Sequence, residues 1–217
     1  RAEAPSARSS ARRLVIAEPS AGRSKGPFLR LARSLQAAGA DRGVQVVMAG
    51  SRRALLEGLE PADQALLVPA FEYAHWDMLT ESPDDIWTSA ARYARIMAKD
   101  LDALTTRIGI DEHDTLLFDT ANLVDVFATT EWLGRLAPAV RPEIRLLFHF
   151  VPEQEAQWLK QSTEQVRQIY QVAFALLESC AGDRVQILAQ TSALAAELSV
   201  AFERRVVPMG FPVPPKL

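Results

Sequence analysis

The sequence has 217 residues, of which 48% are apolar and 24% are charged, and its formal net charge is −3. This length suits one large domain or two small ones. The slightly acidic balance argues against nucleic-acid binding, which needs a basic face. A single cysteine excludes an internal disulfide and suits a reducing compartment, so we expect a cytoplasmic protein. No apolar run reaches the roughly 18 residues that a membrane-spanning helix requires.

The first residues differ in composition from the rest of the chain. Residues 1–12 combine arginine with serine, alanine and proline and have no apolar periodicity. This composition predicts a disordered basic tail. The alternative is a basic arm for a partner or for anionic lipid, which would give a peripheral contact at the inner face of the membrane.

Between residues 13 and 207, apolar strand-like runs alternate with segments of helical periodicity. Continuously apolar strands that alternate with helices predict a doubly wound, mainly parallel, Rossmann-like α/β sheet with helices on both faces and the first strand near its centre. Pro69 should fall at the end of its strand, and the helix after residue 153 is expected to break near its start. The predicted strands are 14–20, 44–50, 64–71, 115–119, 144–151, 185–190 and 205–207. The predicted helices are 27–39, 51–59, 84–107, 122–136, 153–180 and 191–202.

The chain ends in a proline-rich segment. Residues 208–217 contain Pro208, Pro212, Pro214 and Pro215. Proline fixes φ and removes a backbone donor, so this composition favours a stiff, extended segment. We therefore expect residues 13–207 to form one domain and residues 208–217 to begin a linker to a C-terminal domain outside this sequence.

Polar residues that follow predicted strands are candidates for ligand binding, because ligands bind such sheets outside the carboxyl ends of the strands. The loop 20–26 would favour an anion, since its glycines permit close approach and its basic side chains precede a helix start. Helix capping is a competing explanation for the candidates at helix starts. The candidates are Gly22, Arg23, Lys25, Gly26, Glu72, Tyr73, His75, Asp119, Asn122, Glu153, Thr191 and Ser192.

His149 lies inside the apolar stretch LLFHFV. It is either a core histidine bonded to backbone or a catalytic residue at the strand end, acting as a general base or as a hydrogen-bond donor to a sugar hydroxyl. His113 precedes the fourth strand, at the opposite edge, and receives no role. The sequence has no metal-ligand spacing, no GxGxxG and no GxSxG, so no metal, dinucleotide or nucleophile-elbow site is predicted.

Three stretches resemble the N-terminal half of a GT-B glycosyltransferase of the family-4-like type. The stretch LVIAEPSAGRSKGPFLRLARSLQAAG, followed by VQVVMAG, resembles the first βαβ unit of that family. IRLLFHFVPE resembles the region of its fifth strand, where a histidine commonly ends the strand. The stretch ILAQTSALAAELS, followed by RVVPMGFPVPP, resembles the segment that precedes the interdomain linker.

The resemblance implies an acceptor-side domain that works with its own C-terminal domain. The implied reaction transfers a sugar from a nucleotide-sugar to a hydroxyl of a glycan or a lipid-linked acceptor, without a resident cofactor or metal. Basic groups and helix N-termini would then face the leaving diphosphate. Two alternatives remain: a stand-alone module that binds a sugar or another small molecule without catalysis, and a nucleotide-dependent enzyme, against which the missing GxGxxG counts.

Overall fold

The computed structural model describes residues 12–22, 28–54, 59–74, 77 and 86–209. Within these ranges, no helix has both the length and the apolar character needed to cross a bilayer. The strands are β1 (Arg13–Ala17), β2 (Gln45–Ser51), β3 (Leu67–Phe71), β4 (Thr115–Phe118), β5 (Glu143–Phe148), β6 (Val185–Ala189) and β7 (Val206–Pro208). The helices are α1 (Phe28–Ala40), α2 (Pro61–Leu66), α3 (Ile86–Ile108), α4 (Leu123–Arg135), α5 (Pro152–Leu159), α6 (Thr163–Ala181) and α7 (Ser192–Phe202).

The described strands form a single parallel sheet in the order β3-β2-β1-β4-β5-β6-β7. This arrangement confirms the predicted doubly wound α/β fold. β1 pairs with β2 on one side and with β4 on the other, so it is central, as predicted. The strand order reverses between β1 and β4, which makes the carboxyl ends of these two strands the topological switch point of the sheet.

Apolar side chains cover both faces of the sheet. In β1, Val15 and Ala17 belong to one buried cluster and Ile16 belongs to the other, because successive strand residues point to opposite faces. Leu29 of α1 packs with the Ile16 cluster. α3, α4 and α6 pack with the larger cluster, where Trp132 is fully buried. Both faces are therefore buried, which explains why stretches such as residues 14–17 and 146–148 are apolar without alternation.

The segment around β3 differs from the sequence-based expectation. The predicted helix 51–59 is wrong at its described positions, because β2 continues through Ser51 and a turn follows. The helix instead begins at Pro61, a residue that suits the first helical turn because that turn needs no N–H donor there. Pro69 lies in the middle of β3 rather than at its end. This position is tolerated because β3 is an edge strand.

The second half of the fold follows the predicted pattern closely. The expected break in the helix after residue 153 separates α5 from α6, at Lys160, which has a left-handed backbone (φ 53°). The last strand extends to Pro208, which pairs with Ala189, one residue beyond the predicted domain end. The predicted basic tail (apart from Arg12) and residues 210–217 of the predicted linker lie outside the described residues.

Candidate functional site

Three polar residues follow the strands at and beside the switch point. Glu18 comes directly after β1, Asp119 directly after β4 and His149 directly after β5. Backbone hydrogen bonds continue the sheet pattern into this edge: the Glu18 N–H donates to the Ala49 carbonyl at 2.9 Å and the Asp119 N–H donates to the Ala17 carbonyl at 3.3 Å. The rigid sheet therefore fixes where these residues lie.

The His149 side chain contacts Asp119 directly. Its Nε2 donates a hydrogen bond to the Asp119 carbonyl oxygen, and the same nitrogen lies 4.0 Å from the Asp119 carboxylate oxygen Oδ1. The His149 side chain is 18% exposed and the Asp119 side chain is 5% exposed. With Nε2 carrying the proton, Nδ1 holds the lone pair of the neutral ring. The imidazole is thus oriented by backbone while part of it still reaches solvent.

The surroundings of His149 set its charge state. Burial is the largest influence and lowers the pKa of His149 below its usual value. Hydrogen bonds to the Asp119 carbonyl and to the Gln190 side chain, together with the negative charge of Glu18, act in the opposite direction without cancelling the effect of burial. The ring is consequently neutral at pH 7 and able to accept a proton.

Sequence reasoning missed Glu18. This residue is fully buried, and its Oε1 accepts a hydrogen bond from the Ser20 N–H at 2.9 Å. The Ser20 side chain is also buried. The signal in the sequence is a carboxylate that directly follows the apolar stretch 14–17. A carboxylate at such a position is stable in the interior only when hydrogen bonds or opposite charges replace its contacts with water. The predicted strand 14–20 includes this position, so the candidate loop begins two residues too late to contain it.

Only part of the predicted anion-binding loop is described. Gly22 is buried and has a left-handed φ of +86°. A Cβ placed there would lie 2.5 Å from the Ala54 Cβ, so the turn after β1 packs tightly against the turn after β2. Packing alone accounts for this glycine. The candidates Arg23, Lys25 and Gly26 lie outside the described residues, as does His75.

Two of the other candidates cap helices. Asn122 accepts hydrogen bonds from the backbone N–H groups of Val124 and Asp125, at 2.8 and 3.4 Å, and forms the N-cap of α4. Thr191 accepts from the Leu194 N–H at 3.1 Å and caps α7, and Ser192 is the exposed first residue of that helix. These contacts support the capping explanation for both side chains, although Thr191 directly follows Gln190, which bonds to His149.

The contacts given for the remaining candidates do not involve His149. The Glu72 N–H donates to Asp100 at 2.8 Å, and the Tyr73 ring packs edge-on against Tyr93 with ring centroids 5.2 Å apart. Glu153 of α5 forms an ion pair with Arg167. The structure therefore brings Asp119 and His149 together, with Gln190 and Glu18, and places Glu72, Tyr73 and Glu153 in contacts of their own.

The described residues offer no metal centre at this edge. No group of three or more histidine, cysteine, aspartate or glutamate side chains in that part of the chain could hold a metal ion. A small cavity lined by Tyr73, Tyr93 and Asn122 has a volume of about 20 Å³, which is room for about one water molecule. Among the described residues, the chemistry of the candidate site therefore depends on His149 and the two carboxylates.

Comparison with known proteins finds only weak structural likeness. No protein-family model matches the sequence, and no curated protein matches it. Among solved structures, the fold is similar to the glycosyltransferase SnogD from Streptomyces nogalater, with a TM-score of 0.42 and 18% sequence identity. The match covers 87% of this chain and 47% of the SnogD chain, so this chain spans about half the length of that protein. A likeness of this strength carries no argument about activity.

Proposed function

We propose that this chain is the acceptor-side half of a glycosyltransferase, which moves a sugar from a nucleotide-sugar to an acceptor hydroxyl without a resident cofactor. In this proposal His149 is the general base. It accepts the hydroxyl proton as the acceptor oxygen forms its bond to the anomeric carbon. The bond from that carbon to the nucleoside diphosphate breaks, and the diphosphate leaves with the electron pair. The C-terminal domain expected beyond this sequence would hold most of the donor.

One observation carries the proposal: a partly exposed, neutral histidine lies beside the switch point of a doubly wound sheet, next to a buried carboxylate. A general base must be unprotonated before the reaction, and it works best when its pKa lies near the operating pH, because a much lower pKa makes it a weaker base. The Asp119 carbonyl holds the ring in one tautomer, and the nearby carboxylates of Asp119 and Glu18 favour the imidazolium that forms after proton transfer.

The donor phosphates are proposed to lie at the basic loop after β1. Arg23 and Lys25 would face the leaving diphosphate, since charge develops on it as its bond to the sugar breaks. The sequence resemblance supports this assignment.

A second candidate function is a binding module without catalysis. It is favoured by the fact that the His149 ring already has two partners, the Asp119 carbonyl and the Gln190 side chain. A neutral histidine held in this way can accept a hydrogen bond from a bound hydroxyl through Nδ1 without taking the proton. The two functions differ in one measurable product, the nucleoside diphosphate, which only the transferase releases.

The test measures nucleoside diphosphate release from a panel of nucleotide-sugars by the full-length protein, with hydroxyl acceptors present. His149→Gln should lower turnover by roughly 10²-fold or more. His113→Gln is the matched control, because His113 is exposed and lies at the opposite edge of the sheet. Its turnover should equal that of the wild type. Wild-type turnover in His149→Gln would refute the base role, and ligand binding without diphosphate release by the wild type would favour the binding module.

A further inference from the structure

A row of three rings begins at the candidate base and continues along the same edge of the sheet. The His149 and Phe150 ring centroids are 6.2 Å apart, and the Phe150 and Trp158 centroids are 4.7 Å apart with an interplanar angle of 81°. Phe150 is half-buried, and the Trp158 side chain belongs to the exposed large apolar groups, at 38% exposure. The row is therefore a partly exposed aromatic surface that adjoins a polar site.

The local fold holds Trp158 in this position. The chain leaves β5 through His149 and Phe150 and enters α5, whose first turn is fixed when the Val151 N–H donates to the Gln154 side chain at 3.3 Å. α5 places Trp158 two helical turns later, on Phe150. The helix then ends at Lys160 in a left-handed conformation, with its N–H donating back to the Gln157 carbonyl at 3.2 Å. The hydrogen bonds at the two ends of α5 and the contact with Phe150 therefore fix where Trp158 lies.

We propose that Phe150 and Trp158 form the stacking site for the ring that bears the acceptor hydroxyl, an inference that rests on the proposed function. Aromatic rings combine a large apolar area with a face of partial negative charge. This face attracts the C–H groups of a sugar ring and the edge of another aromatic ring. An acceptor ring stacked on this pair would present its hydroxyl towards His149. The substrate class is therefore a hydroxyl on a ring with an apolar face, either a pyranose or an aromatic alcohol.

A second exposed tryptophan, Trp87, has no histidine beside it among the described residues. Trp87 of α3 is also exposed, at 45%, and packs against Phe127 with ring centroids 6.4 Å apart. The helix pair α3 and α4 carries both residues, and the groove beside them is lined by side chains such as Arg95 and Glu131, with no described histidine. Trp87 thus offers an aromatic surface without a histidine beside it among the described residues, which makes it a matched control for Trp158.

The experiment measures binding of two probes to the full-length protein by saturation-transfer NMR, without donor present. Methyl β-D-glucopyranoside represents the sugar ring and resorcinol represents the aromatic alcohol. At least one probe should bind the wild type. Trp158→Ala should weaken that binding by roughly three- to tenfold, the loss expected for one aromatic contact. Trp158→Phe should keep most of the affinity, and Trp87→Ala should bind as the wild type does.

Three results would overturn the proposal: no binding of either probe to the wild type, unchanged binding in Trp158→Ala, or an equal loss in Trp87→Ala. Thermal unfolding of each variant separates loss of the fold from loss of the contact, and Trp158→Phe supplies the folded comparison if Trp158→Ala does not fold. Because the probes bind without a donor, the result is independent of turnover. A transferase whose Trp158→Ala variant binds normally would refute the stacking site alone, and a protein that binds both probes but releases no diphosphate would refute the proposed function alone.

Discussion

Replacing Gly22 by alanine tests whether the turn after β1 is held by packing. Gly22 has a φ of +86°, and an added Cβ would lie 2.5 Å from the Ala54 Cβ and 3.1 Å from the Leu67 Cδ2. A left-handed conformation costs a non-glycine residue roughly 1–2 kcal/mol, and forcing a methyl group into a packed site adds about 1–3 kcal/mol. We therefore expect Gly22→Ala to lower the free energy of unfolding by about 3 kcal/mol.

Gly43→Ala isolates the backbone contribution to that loss. Gly43 also has a left-handed φ, +66°, but nothing lies within 4 Å of the point that its Cβ would occupy. It should therefore lose only about 1 kcal/mol. Urea unfolding followed by circular dichroism gives both values from the transition midpoint and slope. Equal losses in the two variants would show that Ala54 and Leu67 do not constrain the turn, and the packing explanation for Gly22 would be wrong.

Two further predictions concern buried polar groups. The Tyr170 hydroxyl donates a hydrogen bond to the buried Glu155 carboxylate. Tyr170→Phe removes that donor and should lower the free energy of unfolding by about 2 kcal/mol. An unchanged urea midpoint would contradict this. The pKa of His149 is lowered in the folded state, so the unfolded chain binds its proton first and stability falls as the pH drops below about 6.5. Thermal melts from pH 8 to pH 5 should show a shallower decline for His149→Gln than for the wild type, and parallel curves would refute this linkage.

The parallel sheet is predictable from the sequence because burial on both faces makes most strand positions apolar, without regular alternation. The predicted bounds of β1 and β6 lie within three residues of their observed ends. The region between β2 and β3 is predicted poorly, since residues 51–59 have weak periodicity and the proline at 61 determines where the helix begins. Periodicity also cannot tell an edge strand from a central one, which is why the predicted position of Pro69 is wrong.

The candidate site is predictable only in part. Asp119 and His149 follow apolar strands, and parallel topology brings such positions to one edge whatever their separation in sequence. A backbone hydrogen bond of His149 is one of the two alternatives that the sequence offers, but residue types cannot identify the Asp119 carbonyl as the partner. Glu18 escapes prediction because a single charge at a strand end resembles an ordinary exposed turn residue. Its burial depends on Ser20 and on the strand order, both of which are tertiary features.

The position of Pro69 in β3 has a consequence for how this sheet meets other chains. An edge strand normally offers a row of N–H and C=O groups to any extended peptide that approaches it. At Pro69 the N–H is missing, and the carbonyl accepts a hydrogen bond from Arg107 at 3.0 Å. At this position an approaching strand would meet no free N–H donor and a carbonyl that is already bonded. The edge is therefore protected at Pro69 against the strand-to-strand pairing that begins aggregation.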